Sequence, residues 1–466
     1  MDMKNDKLLE AKYTIYMKIL RTLSLLLAAL AIVGCIESSR PTATGKGNIR
    51  GLNAAVTTPD LLFLMEERFI GTTPYKSSTA TREFDGLDYM VNFDYQFAGD
   101  LLSSRVISIP FTLVKDTDYL FIFTGSLDAP ETLTWERPIR VWDGSEAIMD
   151  IRFGHLSPQL GEVDFYFAAP GTVPVLGDAQ ATLTFGNHAP VKEFPGGEYE
   201  FIITSKDNPA DVLFQSVTIT FQPQFTYDIA AFDPDPSITS PLGVRLITGG
   251  GASAELVDVN ASPVLRTFHG SFTTGPFDLY RDADFSAPWI ANVAYAEISG
   301  GVDTPPDEVT YTFTDAGNAG SILHEEDFDI LNGRRTTAFL MGTATDLAVV
   351  ELIDDTRPLD DVAKLRFVQA STDQAVVDIY MVESGNDIAD LPPRFVLLPF
   401  QANTSYTGFE AKDYDIYVTE PAAKDVLAGP FPFTGSIGDV VHFAIVDTAD
   451  PNVLEIVKYD HLTVAP

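Results

Sequence analysis

The chain has 466 residues, of which 66 are acidic and 30 are basic, so its formal net charge is −36. This charge excludes a typical nucleic-acid-binding protein, because such proteins neutralise phosphates with clustered Lys and Arg side chains. Apolar residues make up 45% of the chain and aromatic residues 11%, enough to fill several hydrophobic cores. At roughly 100 to 200 residues per domain, the length predicts two to four domains.

The N-terminal segment has the pattern of an export signal. Lys18 and Arg21 precede an apolar run, Leu23 to Val33, that is shorter than the roughly 20 residues a membrane-spanning helix needs. The run ends in Ile32-Val33-Gly34-Cys35, which resembles the lipobox of bacterial lipoproteins. The resemblance implies that residues 1–34 are a lipoprotein signal peptide and that Cys35, after cleavage, carries the lipid anchor.

Cys35 is also the only cysteine of the chain, so no intramolecular disulfide bond can form. A buried small apolar residue is the alternative interpretation of this cysteine. Residues 35–47 are rich in Ser, Thr, Gly and Pro, and we predict a lipidated, flexible tether there. Because Ile36 rather than Asp follows the cysteine, the resemblance implies the outer membrane. We expect a lipid-anchored protein of the cell envelope, on the periplasmic face of that membrane or on the cell surface.

The rest of the chain contains four copies of one sequence unit. Three copies carry an Asp twelve residues and a Tyr fourteen residues after an Arg, and a shortened first copy begins at Arg50. The three complete sets are Arg152, Asp164 and Tyr166; Arg266, Asp278 and Tyr280; and Arg366, Asp378 and Tyr380. The repeats predict four β-sandwich domains at residues 48–147, 148–262, 263–362 and 363–466.

Within the repeats, apolar and polar residues alternate. Val163, Phe165 and Phe167 alternate with Asp164 and Tyr166, which is the period of a half-buried β-strand. Helical periodicity is nearly absent beyond the signal peptide. We therefore predict an all-β protein of four tandem immunoglobulin-like antiparallel β-sandwich domains, after a signal peptide and a short tether. Four domains in a row are expected to form a rod longer than about 100 Å.

The repeated unit resembles a known family. The pattern Arg-x-x-His-Ala-Ser-Pro-Asp-Ala-Pro-x-Val-Asp-Val-Tyr marks an uncharacterised bacterial domain, found in tandem in exported and cell-surface proteins. The fourth copy follows this pattern closely from Arg366, the second keeps His155, Ser157 and Pro158, and the first departs most. The resemblance implies location and architecture but no activity.

The repeated polar residues have two interpretations. In the first interpretation, a polar functional site is formed by Arg366, Asp378 and Tyr380. In the second interpretation, the Arg and Asp side chains lie on neighbouring strands and pair, and the Tyr closes one face of the domain. Recurrence in every copy favours the second, structural interpretation, because a fold must be rebuilt in each copy and a catalytic site need not be. We therefore assign these residues to the framework of each repeat and predict no catalytic residue.

Metal and enzyme motifs are missing from the sequence. The six His residues lack zinc-ligand spacing, and no nucleophile elbow, phosphate-binding loop or dinucleotide fingerprint occurs. Asp327 and Asp329 are the calcium candidates, but apolar insertions break the EF-hand spacing and solvated acidic loops are the favoured interpretation. We expect no cofactor beyond the lipid on Cys35.

The three tryptophans, Trp135, Trp142 and Trp289, are either exposed platforms for a ligand or packing residues, and packing is favoured. The sequence as a whole predicts a non-catalytic, membrane-anchored lipoprotein that displays its domains for binding, adhesion or envelope scaffolding. Its partner would be a protein or a glycan, not a nucleic acid, with the third domain as the best candidate for the contact. The alternative is an extracytoplasmic enzyme that acts on polysaccharide through carboxylates of one divergent repeat.

Overall fold

The computed structural model describes residues 43–98, 100–305 and 308–459. The predicted signal peptide and Cys35 lie outside these residues. The described part of the chain consists of β-strands without a helix, and so contains no helix that could span a membrane. The prediction of an all-β protein with several domains is confirmed.

The first unit consists of two facing four-stranded sheets. Its strands are β1 (Lys46–Asn53), β2 (Leu61–Met65), β3 (Arg68–Thr73), β4 (Arg82–Asp85), β5 (Asp88–Tyr95), β6 (Ser104–Thr112), β7 (Thr117–Gly125) and β8 (Pro130–Pro138). One sheet has the order β4-β1-β7-β8 and the other β3-β2-β5-β6. Strands β1 and β7 are parallel, and the remaining pairs of the unit are antiparallel.

The second unit repeats this plan with two additional short strands. Its strands are β9 (Ile148–Leu156), β10 (Val163–Ala168), β11 (Ala181–Leu183), β12 (Lys192–Pro195), β13 (Gly197–Ser205), β14 (Asn208–Gln215), β15 (Ile219–Phe221), β16 (Thr226–Phe232), β17 (Gly243–Thr248) and β18 (Ser253–Glu255). The sheets have the orders β12-β9-β16-β17-β18 and β11-β10-β13-β14, with β15 paired to β13. The parallel pair is β9 with β16.

The third and fourth units have the strand order of the first. The third contains β19 (Val264–His269), β20 (Phe277–Arg281), β21 (Ile290–Val293), β22 (Val302–Asp303), β23 (Glu308–Asp315), β24 (Ile322–Asp329), β25 (Arg335–Thr343) and β26 (Asp346–Ile353). The fourth contains β27 (Ala363–Gln369), β28 (Val376–Glu383), β29 (Phe395–Pro399), β30 (Thr407–Phe409), β31 (Asp413–Thr419), β32 (Val426–Thr434), β33 (Val440–Asp447) and β34 (Leu454–Tyr459). Their parallel pairs are β19 with β25 and β27 with β33. The predicted antiparallel pattern therefore holds for every pair except one in each unit.

A hydrophobic core fills the space between the two sheets of each unit. In the second unit, Val163, Phe165 and Phe167 of β10 meet Phe201 and Ile203 of β13 and the apolar residues of β9. This is the alternation expected of strands that turn one face inward. The core residues are nearly inaccessible to solvent, so each unit has the apolar centre that a β-sandwich needs.

The outer faces of four of these sheets are also apolar, and they bring the units together in pairs. Leu120 and Ile122 of β7 pack against Leu156, Ala230 and Phe232 of the second unit. An equivalent cluster joins the sheet of β19 to that of β27. Because both faces of these sheets are buried, the first unit is fixed against the second and the third against the fourth.

The two pairs are stacked end to end. Thr239 donates its backbone N–H to the carbonyl of Gly333 at 2.9 Å, which joins the second unit to the third. Asp360 donates its backbone N–H to Thr57 at 2.7 Å, across 303 residues of sequence, which joins the fourth unit to the first. The contact between the first and fourth units contradicts the predicted rod of four domains in a row, because the two ends of such a rod would not meet.

Candidate functional site

The repeated arginines lie at the interfaces within the two pairs. Between the first and second units, Arg50, Arg137 and Arg152 surround the carboxylates of Asp118 and Asp228. Arg152 Nε donates to Asp228 Oδ1 at 2.7 Å, and Arg50 Nη2 donates to Asp118 Oδ2 at 2.8 Å. Burial alone would raise the pKa of Asp228, but the three guanidinium groups outweigh burial and hold its pKa well below the ordinary value.

A smaller cluster of the same kind joins the third and fourth units. Arg266 Nη2 and Arg366 Nη2 lie 2.9 Å and 2.7 Å from the two carboxylate oxygens of Asp354. The hydroxyl of Thr337 also donates to Asp354, at 2.7 Å. Both clusters are buried, and their ion pairs cross from one unit to the next, so they fix the pairing of units.

The predicted pairing of each Arg with the Asp twelve residues later is wrong. The Arg lies in the sheet that faces the neighbouring unit, whereas the Asp lies in the opposite sheet of its own unit. Asp378 accepts backbone N–H groups of Leu397 at 2.7 Å and Ala422 at 3.1 Å. Asp278 accepts two backbone N–H groups in the same manner. These aspartates therefore hold loops in place rather than neutralise the arginines.

Replacement of Asp378 by alanine is expected to lower the free energy of unfolding by about 1–3 kcal/mol, because two N–H groups lose their acceptor. Urea unfolding of the full chain measures this change. Asp390→Ala, which removes an exposed carboxylate of the same unit, is the matched control and should have little effect. Equal stabilities of the two variants would contradict the loop-holding role.

The other repeated positions also have local structural contacts. Tyr166, Tyr280 and Tyr380 are buried on the outer face of their sheets, where loops cover them. Phe285 packs on Tyr280 with ring centroids 5.2 Å apart, and the ammonium of Lys424 lies 5.5 Å from the ring of Tyr380. Tyr166 also lines a cavity of about 320 Å³, together with Val173 and Val175 of the loop after β10.

The residue three positions after each Arg bonds to a loop backbone. His155 Nε2 lies 2.9 Å from the carbonyl of Gly161, and His269 Nε2 lies 2.8 Å from that of Gly275. Gln369 donates to the carbonyl of Gln374 at 3.0 Å. Burial lowers the pKa of both histidines, which favours their neutral form. The same role is thus filled by an imidazole or an amide.

No metal centre forms among the side chains described within residues 43–98, 100–305 and 308–459, since no three His, Cys, Asp or Glu groups there could hold an ion together. Of the two calcium candidates, Asp327 accepts the hydroxyl of Thr310 at 2.6 Å on the neighbouring strand. Asp329 ends β24, and its side chain lies outside the described part of the structure. The tandem acidic residues of this strand are therefore spread along a sheet edge.

The tryptophans differ in their surroundings. Trp135 is buried between the first and second units, with its indole N–H donating to Gly186 at 3.1 Å. Trp142, in the linker between these units, is half-buried beside the guanidinium of Arg140. Trp289 of the third unit packs beside Tyr311 and Arg281. Packing at an interface thus explains Trp135, the most deeply buried of these side chains.

A cleft of about 620 Å³ lies where the first unit meets the fourth. Tyr95 and Phe97 line it from the end of β5, and Phe409 and Tyr414 line it from the turn between β30 and β31. The rings are arranged edge to face, with centroids 5.0 Å apart in the first pair and 5.6 Å apart in the second. We call this site the junction cleft.

Polar groups surround the aromatic floor of the junction cleft. Gln96 and Asp100 come from the first unit, and Arg394 and Glu410 from the fourth. All but the half-buried Glu410 are exposed, so their polar atoms are accessible from solvent. The cleft therefore combines aromatic surface with amide, guanidinium and carboxylate groups, which suits recognition of a ligand that is both apolar and hydroxylated.

The shape of the junction cleft is fixed by contacts between the two units. Asp361 accepts the backbone N–H of Ala98 at 2.8 Å. Burial and the nearby carboxylates of Asp361 and Asp360 raise the pKa of Tyr95 to about 12, so this phenol stays protonated at neutral pH. Tyr414 donates its hydroxyl to the carbonyl of Glu410 at 3.0 Å. These bonds fix the floor before any ligand arrives.

A second groove, of about 560 Å³, lies in the fourth unit beside Lys424. The ammonium of Lys424 donates to the carbonyls of Ile388 and Ala389 at 2.5 Å each and to that of Leu391 at 2.9 Å. Its three donor positions are thus directed at the protein's own loop. This groove offers a ligand fewer polar contacts than the junction cleft, which we take as the candidate functional site.

Sequence reasoning found the repeated arginines of the charge clusters but missed their partners Asp118, Asp228 and Asp354, and it missed the residues of the cleft. Asp228 lies directly opposite Arg152 across the parallel pair. The same position holds Leu120, Thr337 and His442 in the other units, so the repeats contain no recurring Asp that could have predicted the clusters. The junction cleft had no signal either, because Phe97 and Phe409 are brought together only by the stacking of the pairs.

A model of an uncharacterised family, described as a domain of unknown function (DUF4397), matches residues 263–380. This range covers the third unit and the beginning of the fourth, and it agrees with the predicted likeness to an uncharacterised domain. No curated protein matches the chain.

Three solved structures are similar over parts of the chain. The Bacillus anthracis TIE protein is 9% identical, with 87% of this chain and 69% of that chain covered and a TM-score of 0.15. The family 26 carbohydrate-binding module of Eubacterium rectale Amy13K, in complex with maltoheptaose, is 16% identical. The match covers 45% of this chain and 98% of that module, with a TM-score of 0.18. A streptococcal family 41 carbohydrate-binding module that recognises alpha-glucan is 13% identical, with coverage of 41% and 96% and a TM-score of 0.17. TM-scores of this size do not establish a common fold.

Proposed function

We propose that this chain is a lipid-anchored envelope protein that binds a short glycan segment in the junction cleft and performs no chemistry on it. The observation that carries the proposal is the cleft itself, where Tyr95, Phe97, Phe409 and Tyr414 from two units line one cavity beside accessible polar groups. Aromatic faces pack against the C–H faces of sugar rings, while amide, guanidinium and carboxylate groups bond to hydroxyls.

The dimensions of the cleft favour a small ligand over a folded protein. Its volume of about 620 Å³ lies within the range of about 300–1,000 Å³ found for small-ligand sites. A stable protein interface would need about 800 Å² from each partner and is usually broader and flatter. A few sugar rings at the end or branch of a longer glycan fit this concave site better.

The side chains that line the cleft have distinct roles in this proposal. Phe97 is half-buried and offers the most accessible aromatic surface of the four rings, so it is the side chain we expect to stack on the sugar. Arg394 and Gln96 would donate hydrogen bonds to sugar oxygens, and Glu410 and Asp100 would accept them from hydroxyls. Binding without chemistry is supported by the fixed, packed floor, which holds a ligand without enclosing it.

The anchor is supported by the lipobox-like segment that ends at Cys35. Strand β1 begins at Lys46, so ten residues, 36–45, separate the first strand from the cysteine that would carry the lipid. A short tether of this kind would keep the binding units close to a membrane surface. The outer membrane remains the compartment we propose for the protein.

Replacing Phe97 by alanine is expected to weaken glycan binding roughly tenfold, because a stacked ring contributes about 0.5–1.5 kcal/mol beyond the area it buries. Affinity electrophoresis against a panel of soluble polysaccharides finds the ligand, and titration calorimetry gives both affinities. Phe69→Ala removes an exposed ring of the same unit outside the cleft and should bind as the wild type does.

Two results would contradict the proposal. The first is a bound glycan whose affinity is the same for wild type and Phe97→Ala. The second is release of reducing ends from the bound polysaccharide, which would favour the alternative of an extracytoplasmic enzyme. The expected outcome is equal binding by wild type and Phe69→Ala, weaker binding by Phe97→Ala, and no hydrolysis by any of the three.

A further inference from the structure

The strand directions identify the end of the molecule that faces the lipid anchor. Strand β1 begins at Lys46, and Gly86 donates its backbone N–H to Gly45 at 2.7 Å beside it. Asp116 donates to Lys46 at 2.8 Å, and Ile139 donates to Asp116 at 2.8 Å. The start of β1, the β6–β7 turn and the end of β8 therefore lie together. We call this end of the first pair the proximal end.

The second unit turns the corresponding loops to the same side. Residues 139–147 lead from the end of β8 to the start of β9, so β9 begins at the proximal end. Gln224, which precedes β16, donates its backbone N–H to Ile148 at 2.7 Å at the start of β9. Since β10 runs opposite to β9, the loop 169–180 that follows β10 also lies at the proximal end.

The proximal end exposes six large apolar side chains. Their exposed fractions are 52% for Val114, 86% for Val141, 76% for Val173, 55% for Val175, 61% for Leu176 and 49% for Phe225. They come from four separate segments of two units. A set of exposed apolar side chains at one end of a molecule indicates a contact surface rather than single surface residues.

One loop of the proximal end is suited to lipid. Residues 169–177 read Ala-Pro-Gly-Thr-Val-Pro-Val-Leu-Gly and carry no charge, although the chain as a whole has 96 charged residues among 466, counting 66 acidic and 30 basic. All but Pro174 of these nine are exposed. Trp142 lies in the linker at the same end, with the guanidinium of Arg140 4.7 Å from its ring. Trp and Arg are side chains that suit the boundary between lipid headgroups and acyl chains.

The length of chain that precedes the described residues indicates what covers this surface. Residues 35–45 extend to no more than about 40 Å. A flexible coil of eleven residues would span about 18 Å on average. A lipid on Cys35, as proposed above, would therefore hold the proximal end within this distance of the bilayer. The exposed carboxylates of Asp116, Asp143 and Asp178 at the same end favour zwitterionic over strongly anionic lipid.

We propose that the proximal end lies on the phospholipid bilayer, with Val173, Val175 and Leu176 inserted among the headgroups and upper acyl chains. This inference rests on the proposed lipid anchor at Cys35. Strand β1 has eight residues, so the junction cleft at its far end is held about 26 Å above the surface. The loop thus orients the molecule, and the cleft is presented to ligands away from the lipid.

The unique cysteine makes a direct test possible. Cys35 is blocked by its lipid in the mature protein, so a second cysteine introduced at Val175→Cys can be labelled alone with a nitrobenzoxadiazole dye. The lipidated full chain is placed in phosphatidylethanolamine–phosphatidylcholine vesicles with or without doxyl-labelled lipid. Val453→Cys, in the turn between β33 and β34 at the opposite end, is the matched control.

We expect the dye at position 175 to emit at shorter wavelength and to lose at least half of its emission to doxyl lipid, and the dye at position 453 to do neither. Leu176→Cys should behave as Val175→Cys does. If the lipidated protein floats with the vesicles but the dye at position 175 behaves as the dye at position 453 does, the proposed insertion of the loop into the bilayer is wrong, while the proposed lipid anchor on Cys35 is supported. If mass spectrometry finds no lipid on Cys35 and the protein does not float, the proposed lipid anchor and the proposed insertion of the loop are both wrong.

Discussion

Replacing Asp228 by alanine is expected to lower the free energy of unfolding by about 3–5 kcal/mol, the cost of removing one partner from a buried group of charges. Asp228 is fully buried and contacts Arg50, Arg137 and Arg152, each within 3.3 Å. Without its carboxylate, three guanidinium groups share only Asp118. The interface between the first two units would then contain two unbalanced positive charges in an environment that excludes water.

Urea unfolding followed by tryptophan fluorescence measures this effect. Trp135 is a suitable reporter, because it is buried at the same interface with the guanidinium of Arg152 5.4 Å from its ring. Asp128→Ala removes an exposed carboxylate in the turn between β7 and β8 and should change stability by less than about 0.5 kcal/mol. A loss for Asp228→Ala as small as that for Asp128→Ala would show that the cluster does not hold the units together.

The same carboxylate predicts a dependence of stability on pH. The pKa of Asp228 in the folded protein lies well below its ordinary value of 3.8, so the folded state binds its proton less readily than the unfolded state does. The stability that Asp228 contributes is therefore complete above that value and is lost as the pH falls below it. Between about pH 5 and 2, wild type should lose more stability than Asp228→Ala, and equal losses would contradict this assignment.

The strands and the four repeats could be predicted from the sequence because their signals are local. Val163, Phe165 and Phe167 alternate with polar residues as a strand requires, and they fill the core of the second unit. The pairing of Arg152 could not be obtained in this way. Its offset from Asp164 is constant in the repeats, but a constant offset along the chain does not reveal which sheet each residue occupies. The structure places them in different sheets.

The pairing of units had a signal that alternation alone does not capture. Tyr119-Leu120-Phe121-Ile122-Phe123 is a continuous apolar run, which is typical of a strand buried on both faces. Phe121 and Phe123 face the core of the first unit, while Leu120 and Ile122 face the second unit. The junction cleft has no comparable signal, because its two halves come from the first and last units and depend on how the pairs are stacked.

Replacing Asp354 by alanine is expected to destabilise the pair formed by the third and fourth units by about 3–5 kcal/mol. As with Asp228, the substitution removes one partner from a buried group of charges, but this cluster is simpler. Here a single carboxylate faces Arg266 of the third unit and Arg366 of the fourth, at 2.9 Å and 2.7 Å. Since one residue serves both units, its loss should weaken the contact between them and not only one fold. Asp346→Ala, which removes an exposed carboxylate at the start of β26, is the matched control.

A combined variant separates the charge from the space it fills. Arg266→Met, Asp354→Leu and Arg366→Met together remove all three charges and leave apolar side chains of similar length, so the interface no longer has to keep a guanidinium group without its partner. We expect this variant to unfold at a higher urea concentration than Asp354→Ala. If it is the less stable of the two, the contacts of the arginines with neighbouring groups such as Ile353, whose carbonyl accepts from Arg366 at 2.9 Å, contribute more than the ion pairs do.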